Sequence, residues 1–171
     1  MSPTDAPQDF SSLYDRYFSR VYGYVRCRVA SAAEADDVAA RVFEKVLEAL
    51  PGYRAERGSF EAWLFAVARN AVRDHYRARR WRSFFSLDDA LERPSGEPRV
   101  EDRLEDDEDR RRLVEALEGL DERTRDVLAL RFQAGLTNRD IAATLGLGES
   151  HVAVLIHRAV KRLQSELEKD A

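Results

Sequence analysis

The stretch LTNRDIAATLGLGESHVAVLIHRAVKRL, Leu136 to Leu163, decides how this chain is read. Thr137 followed three residues later by Asp140 is a capping-box-like helix start. Ile141 and Leu145 stand one turn apart and face inward. Ala142 is small where a partner helix passes closely. Gly146 supplies the positive φ of a tight turn. Leu147 plugs the corner, and Gly148-Glu149-Ser150 opens a second helix. There Val152, Leu155, Ile156, Ala159 and Leu163 form an apolar stripe. Small, glycine and apolar positions all agree on a helix-turn-helix rather than a plain helical hairpin. In that motif the second helix lies in the major groove of duplex DNA.

The outward face of the second helix carries Ser150, Val154, His157 and Lys161, flanked by His151, Ala153 and Arg158. Serine and histidine bond base edges, and valine or alanine touches a thymine methyl. Arg158, Lys161 and, from the first helix, Arg139 reach phosphates. The face is only modestly basic. Phosphate neutralisation supplies much of such affinity, so this half alone is expected to bind duplex weakly.

Working outward toward the N-terminus, Leu113, Leu117 and Leu120 start one helix. Asp121 caps the next, through Val127, Leu128 and Leu130, and Gly135 closes it. Before these lies SFFSLDDALERPSGEPRVEDRLEDDEDR, residues 83–110, with net charge −7. Residues 1–82 carry +3 and residues 111–171 carry 0, so the chain's net negative charge of −4 arises wholly from this one segment. It holds Pro94, Gly96 and Pro98 and few apolar residues after Leu91. Such a stretch buries too little surface to offset its ordering entropy. It reads as a flexible linker.

The first 82 residues are again helical in pattern. Phe10, Leu13, Tyr14, Tyr17, Phe18 and Val21 share one helix face. Ser31 caps a second helix whose apolar stripe is Val38, Val42, Val46, Phe43, Leu47 and Leu50, stopped by Pro51 and Gly52. After the loop PGYRAERG, Ser59 caps a third helix with Phe60, Leu64, Val67 and Ala71 inside. No alternating stretch competes. The expected fold is all-α, two small helical domains joined by an acidic flexible linker. The expected bounds are 1–82, 83–110 and 111–171, with the helix-turn-helix in the last.

The third helix carries a second signal, WLFAVARNAVRDHYRARRWR. Arg69, Arg73, Arg77 and Arg80 form one stripe opposite Phe60 and Leu64. His75, Tyr76 and Trp81 are interleaved. Arginines that track phosphates beside aromatic faces that stack on bases suit single-stranded nucleic acid. The spacing of Trp63 beside Leu64 and Val67 favours a place in the core.

Composition excludes other classes. Cys27 is the only cysteine, so no internal disulfide forms, and three scattered histidines (His75, His151, His157) give no structural zinc site. No apolar run approaches the ~18 residues of a membrane span, and the opening MSPTDAPQDF lacks the pattern of a secretory signal. No glycine-rich phosphate loop or nucleophile motif points to an enzyme. No catalytic residue, metal or cofactor is expected. Cys27 is expected to be a small buried side chain on the first helix.

Two motifs, in this order and at this separation, resemble the extracytoplasmic-function (ECF, group IV) sigma factors, the small two-domain bacterial sigma subunits. ADDVAARVFEKVLEAL is similar to the family's core-binding helix. FEAWLFAVARNAVRDHYRARR is similar to its promoter-melting and reading helix. LDERTRDVLALRFQAGLTNRDIAATLGLGESHVAVLIHRAVKRL is similar to its helix-turn-helix domain. The resemblance implies a cytoplasmic protein, monomeric when free and without membrane contact of its own. It implies three kinds of partner: core RNA polymerase, promoter DNA as duplex and as melted strand, and an anti-sigma protein. Asp36, Asp37, Arg41 and Glu44 would face the polymerase. Tyr53 and Arg54, in the loop that captures a flipped base, would join Arg69, Asn70, Arg73, Tyr76, Arg77 and Arg80 on the downstream element. Arg139, Ser150, His151, Ala153, Val154, His157, Arg158 and Lys161 would read the upstream element. The chain departs from the family at Ala40 and Arg41, where members usually carry a glutamine and an acid, and at Ala153 to Leu155, where they are more polar. The competing class is a conventional helix-turn-helix regulator that is not a polymerase subunit; it would not need the arginine-rich third helix.

Overall fold

The structure, a computed structural model, describes residues 10–85 and 115–168, apart from the side chains of 81–85 and 167. Most of the acidic segment, with Asp106, Asp107, Glu108 and Asp109, lies outside them. The described residues contain helices and no strand. The chain divides into two compact units, Met1–Pro98 and Arg99–Ala171.

The first unit is a three-helix bundle of α1 (Phe10–Arg26), α2 (Ala32–Ala49) and α3 (Phe60–Phe85). Ser31 caps α2, its hydroxyl accepting from Glu34 N–H at 3.2 Å. Glu34 Oε2 in turn accepts from Ala30 N–H at 3.0 Å, the residue just before the cap, so two donors at the helix start are satisfied. Pro51 ends α2 in a short 3₁₀ turn, Leu50–Gly52. Ser59 Oγ accepts from Ala62 N–H at 3.1 Å and starts α3. Leu13, Tyr17, Val21, Tyr24, Val38, Val42, Val46, Leu64 and Phe65 fill the space between the helices. Each such side chain contributes roughly 1.5–3 kcal/mol by leaving water.

Three apolar residues expected inside are not. Tyr14, Phe18 and Leu47 are exposed. The apolar arc of α1 is wider than its contact with α2 and α3, so its outer edge stays at the surface. Cys27 is also exposed, a correction to the buried side chain expected. Helix α1 ends at Arg26, and Tyr24 and Val25 take the last buried places, which leaves the thiol in the turn outside. The Cys27 thiol donates to Tyr24 O at 3.1 Å. Helix α3 runs on to Phe85, three residues into the segment read as linker.

The second unit holds a helical stretch at 115–118, then α4 (Glu122–Phe132), α5 (Asn138–Leu145) and α6 (Glu149–Glu168). Asp121 caps α4, accepting from Thr124 N–H at 3.0 Å and from the Thr124 hydroxyl at 2.6 Å. Thr137 caps α5, accepting from Asp140 N–H at 3.1 Å. Gly146 closes α5 at φ 66°, ψ 38°, the left-handed region that favours glycine. Its N–H reaches Ala142 O, and Leu147 N–H reaches the same carbonyl at 2.9 Å. Ile141, Leu130, Leu136 and Val152 are fully buried where α4, α5 and α6 meet. Leu120, Leu128 and Ala159 pack together with Leu117 and Leu163 further along the same side of α6.

Candidate nucleic-acid interface

In the second unit, Val152 and Ala159 hold the inner side of α6 against its neighbours, while Leu155, Ile156 and Leu163 are half-buried. The opposite side is open. All eight residues expected to read duplex, Arg139, Ser150, His151, Ala153, Val154, His157, Arg158 and Lys161, are exposed. Val154, an apolar side chain 43% exposed in mid-helix, is the least expected on solvation grounds alone. It suits contact with a methyl group.

In the first unit, α3 presents Asn70, Arg73, Arg77 and Arg80 to solvent, with Arg69 half-buried. Arg79 belongs elsewhere: its Nη1 donates to Glu34 Oε1 at 3.1 Å, which ties α3 to the start of α2. His75 points to the same place. It is 7% exposed, its Nε2 lies 3.7 Å from Glu34 Oε1, and neither ring nitrogen has a hydrogen-bond partner. Tyr76 is 38% exposed, yet its hydroxyl donates to Arg28 O.

The loop 51–58 is more committed than its sequence suggests. Tyr53 stands edge-on to Phe60, ring centres 5.3 Å apart, and against Trp63 at 5.3 Å. Its hydroxyl donates to Gly58 O at 3.1 Å, and burial raises its pKa. Trp63 is half-buried in this cluster, at the edge of the core its spacing favours rather than within it. Arg54 donates to Pro51 O and Tyr53 O, both at 2.9 Å. Both residues therefore brace the loop.

Two concavities flank α2. The first, about 440 Å³, lies between α2 and α3 and is lined by Lys45, Ala49, Val67, Asn70, Arg73, Asp74 and Arg77. Lys45 Nζ donates to Asp74 Oδ2 at 2.8 Å, and Arg77 Nη1 lies 3.8 Å from Asp74 Oδ1. The Lys45 bond, and then the charges of Lys45, Arg77 and Arg73, hold the Asp74 carboxyl below its ordinary pKa. The second, about 220 Å³, is lined by Tyr14, Phe18, Tyr22, Asp36, Ala39, Ala40 and Phe43. Tyr14 stacks on Phe18 at 4.9 Å and Phe18 on Tyr22 at 5.7 Å, an aromatic ladder at the surface. Burial and the hydrogen bond to Asp36 raise the Tyr22 pKa. Asp36, Asp37, Arg41 and Glu44 are all exposed on α2, and the small side chain of Ala40 leaves the ladder uncovered. The sequence signal for the ladder was the i, i+4, i+8 spacing of Tyr14, Phe18 and Tyr22. Lys45 carried no such signal, because its partner lies 29 residues away.

Comparison with known proteins settles the family. The family described as Sigma-70 region 2 matches residues 13–82, and Sigma-70, region 4 matches residues 116–165. The RNA polymerase sigma factor CnrH of Cupriavidus metallidurans is 31% identical over 194 aligned positions, covering all of this chain and 99% of CnrH. This chain belongs to the ECF sigma factors. The ECF RNA polymerase sigma factor BldN of Streptomyces coelicolor is 31% identical over 162 residues, 95% of this chain. This sigma factor spans 61% of the length of BldN. The solved structure of CnrH in complex with the cytosolic domain of CnrY has a TM-score of 0.67 at 26% identity, covering 95% of this chain and 89% of that one. A sigma factor directs transcription, and the region 2 match over the first unit disfavours a conventional helix-turn-helix regulator. Among the described residues of this sigma factor, no helix is long and apolar enough to cross a membrane.

Proposed function

We propose that this sigma factor, of group IV, works in the cytoplasm by binding core RNA polymerase and directing it to particular promoters. The observation that carries the proposal is the presence of two separate nucleic-acid faces on one chain. One is the wholly exposed outer side of α6 with Arg139; the other is the arginine-lined side of α3. A major-groove helix suits duplex, and an arginine stripe beside aromatic residues suits a separated strand.

In this proposal residues 111–171 read the upstream element through Arg139, Ser150, His151, Ala153, Val154, His157, Arg158 and Lys161. Residues 1–82 hold the downstream element as a melted strand through Arg69, Asn70, Arg73, Tyr76, Arg77 and Arg80. Tyr53 and Arg54 frame the flipped base, and each gives up an internal hydrogen bond to do so. Asp36, Asp37, Arg41 and Glu44 meet the polymerase, with the aromatic ladder beside them. Residues 83–110 join the two domains. An anti-sigma protein holds the free monomer, as the CnrH complex with CnrY suggests by analogy. The bond-forming chemistry belongs to the polymerase, and the chain needs no cofactor or metal.

The test is co-elution with purified bacterial core polymerase on size exclusion, followed by run-off transcription from a promoter pool. Co-elution with new, sequence-selective transcripts is the expected result. Tight duplex binding by a dimer without co-elution would overturn the proposal.

A further inference from the structure

We propose that the concavity between α2 and α3 seats a backbone phosphate of the single strand, with Lys45 as a further contact and Asp74 as the internal oxyanion that the phosphate displaces. This rests on the single-strand role given to α3 above. Lys45 comes from the other helix and is no part of the arginine stripe.

Three observations support the seat. First, the site already binds an oxyanion. Lys45 and Arg77, from two different helices, converge on the two oxygens of one carboxylate, at 2.8 Å and 3.8 Å. A phosphate offers the same kind of oxygen with more charge. Second, the walls suit a nucleotide. Three cations (Lys45, Arg73, Arg77) face one carboxylate, Asn70 adds an amide, and Ala49 and Val67 give an apolar floor. Third, the internal pair is replaceable. The side chains of Lys45 and Asp74 are 43% and 52% exposed, and ion pairs that open to water hold weakly. An aspartate is ionised at neutral pH, so Asp74 competes with any incoming phosphate.

A purely structural tie between α2 and α3 would use the same bond, so the test removes the tie first. In Asp74→Asn the carboxylate is gone and Lys45 has lost that partner. Binding of the full chain to a fluorescein-labelled, mixed-sequence single-stranded DNA is read by anisotropy across a salt series. Asp74→Asn is expected to bind several-fold tighter than the unaltered chain. Adding Lys45→Met to Asp74→Asn is then expected to weaken binding about eightfold at about 50 mM salt and to lower the salt exponent by ~0.7, the release expected for one phosphate on a single strand. Lys45→Arg in the same background is expected to keep the affinity. Circular dichroism confirms that each variant keeps its helices. Equal affinity of Asp74→Asn with and without Lys45→Met overturns the proposal, as does Asp74→Asn binding no tighter than the unaltered chain. Failure of the unaltered chain to join core polymerase would instead sink the sigma-factor mechanism, a separate outcome of a separate measurement.

Discussion

Glu34 ties together three parts of the first unit, and its removal makes a graded prediction. Its Oε2 accepts from Ala30 N–H at 3.0 Å, and its Oε1 meets Arg79 Nη1 at 3.1 Å and lies 3.7 Å from buried His75. Glu34→Ala deletes the carboxylate that accepts from Ala30 N–H at the start of α2, which costs about 1 kcal/mol. It also deletes an ion pair with Arg79, which is 41% exposed and so contributes only about 0.5 kcal/mol after solvent screening. The expected loss is about 1.5 kcal/mol. Glu34→Gln keeps an oxygen for Ala30 N–H and loses only the charge, so it is expected to cost about 0.5 kcal/mol. The readout is built into the sequence. Both tryptophans, Trp63 and Trp81, lie in the first unit, so tryptophan fluorescence in urea follows that unit alone. With a urea slope of about 1 kcal/mol/M for so small a unit, the midpoints should fall by about 1.5 M and about 0.5 M. Equal shifts for the two variants would refute the division between cap and charge. No shift for Glu34→Ala would refute the role altogether.

Gly146→Ala and Gly148→Ala both place a methyl group in open space, but only Gly146 has a left-handed φ. Far-UV circular dichroism in urea should therefore show a loss of about 1 kcal/mol for the first and a few tenths for the second. Hydrogen bonds from Thr124 hold the Asp121 carboxyl below its ordinary value of 3.8. Its folded pKa is depressed, so its contribution is complete above that value and is lost as pH falls through the lower folded value. Asp121→Ala should destabilise the second unit by about 1 kcal/mol at pH 7 and flatten its acid unfolding curve. Lys161→Ala, on the open side of α6, should weaken promoter binding by the holoenzyme for all sequences alike and reduce the salt exponent by ~0.9; a change in sequence preference would count against a phosphate contact.

Local rules were legible in the sequence wherever a residue acts on its own neighbours. Ser31, Ser59, Asp121 and Thr137 cap the helices they were expected to cap, and Gly135 and Gly146 adopt positive φ at 68° and 66°. Periodicity found the buried faces of α1 and α2 but overstated their width. Tyr14, Phe18 and Leu47 fit the apolar stripe in sequence, yet a three-helix bundle cannot cover that much arc. The open side of α6 was legible because glycine and small residues fix the turn, and the turn fixes which side is free. The Lys45–Asp74 and Arg79–Glu34 pairs were not legible. Their partners are 29 and 45 residues apart, and nothing in either local pattern marks one for the other. The sequence puts Arg69, Arg73, Arg77 and Arg80 on one stripe and marks no role for Arg79. In the folded protein Arg79 and His75 lie off that stripe and pin α3 against α2.

Glu44 and Lys45 are consecutive residues of α2, and successive helix positions point about 100° apart. One carboxylate faces out where the polymerase is proposed to sit, and the next side chain reaches across to α3. Nothing hinged lies between the two. A large partner seated on α2 would thus set the bearing of the strand on α3 as a rigid bracket does, with no relay of conformational change. A single residue inserted after Glu44 would swing one attachment a quarter-turn against the other while leaving every side chain intact.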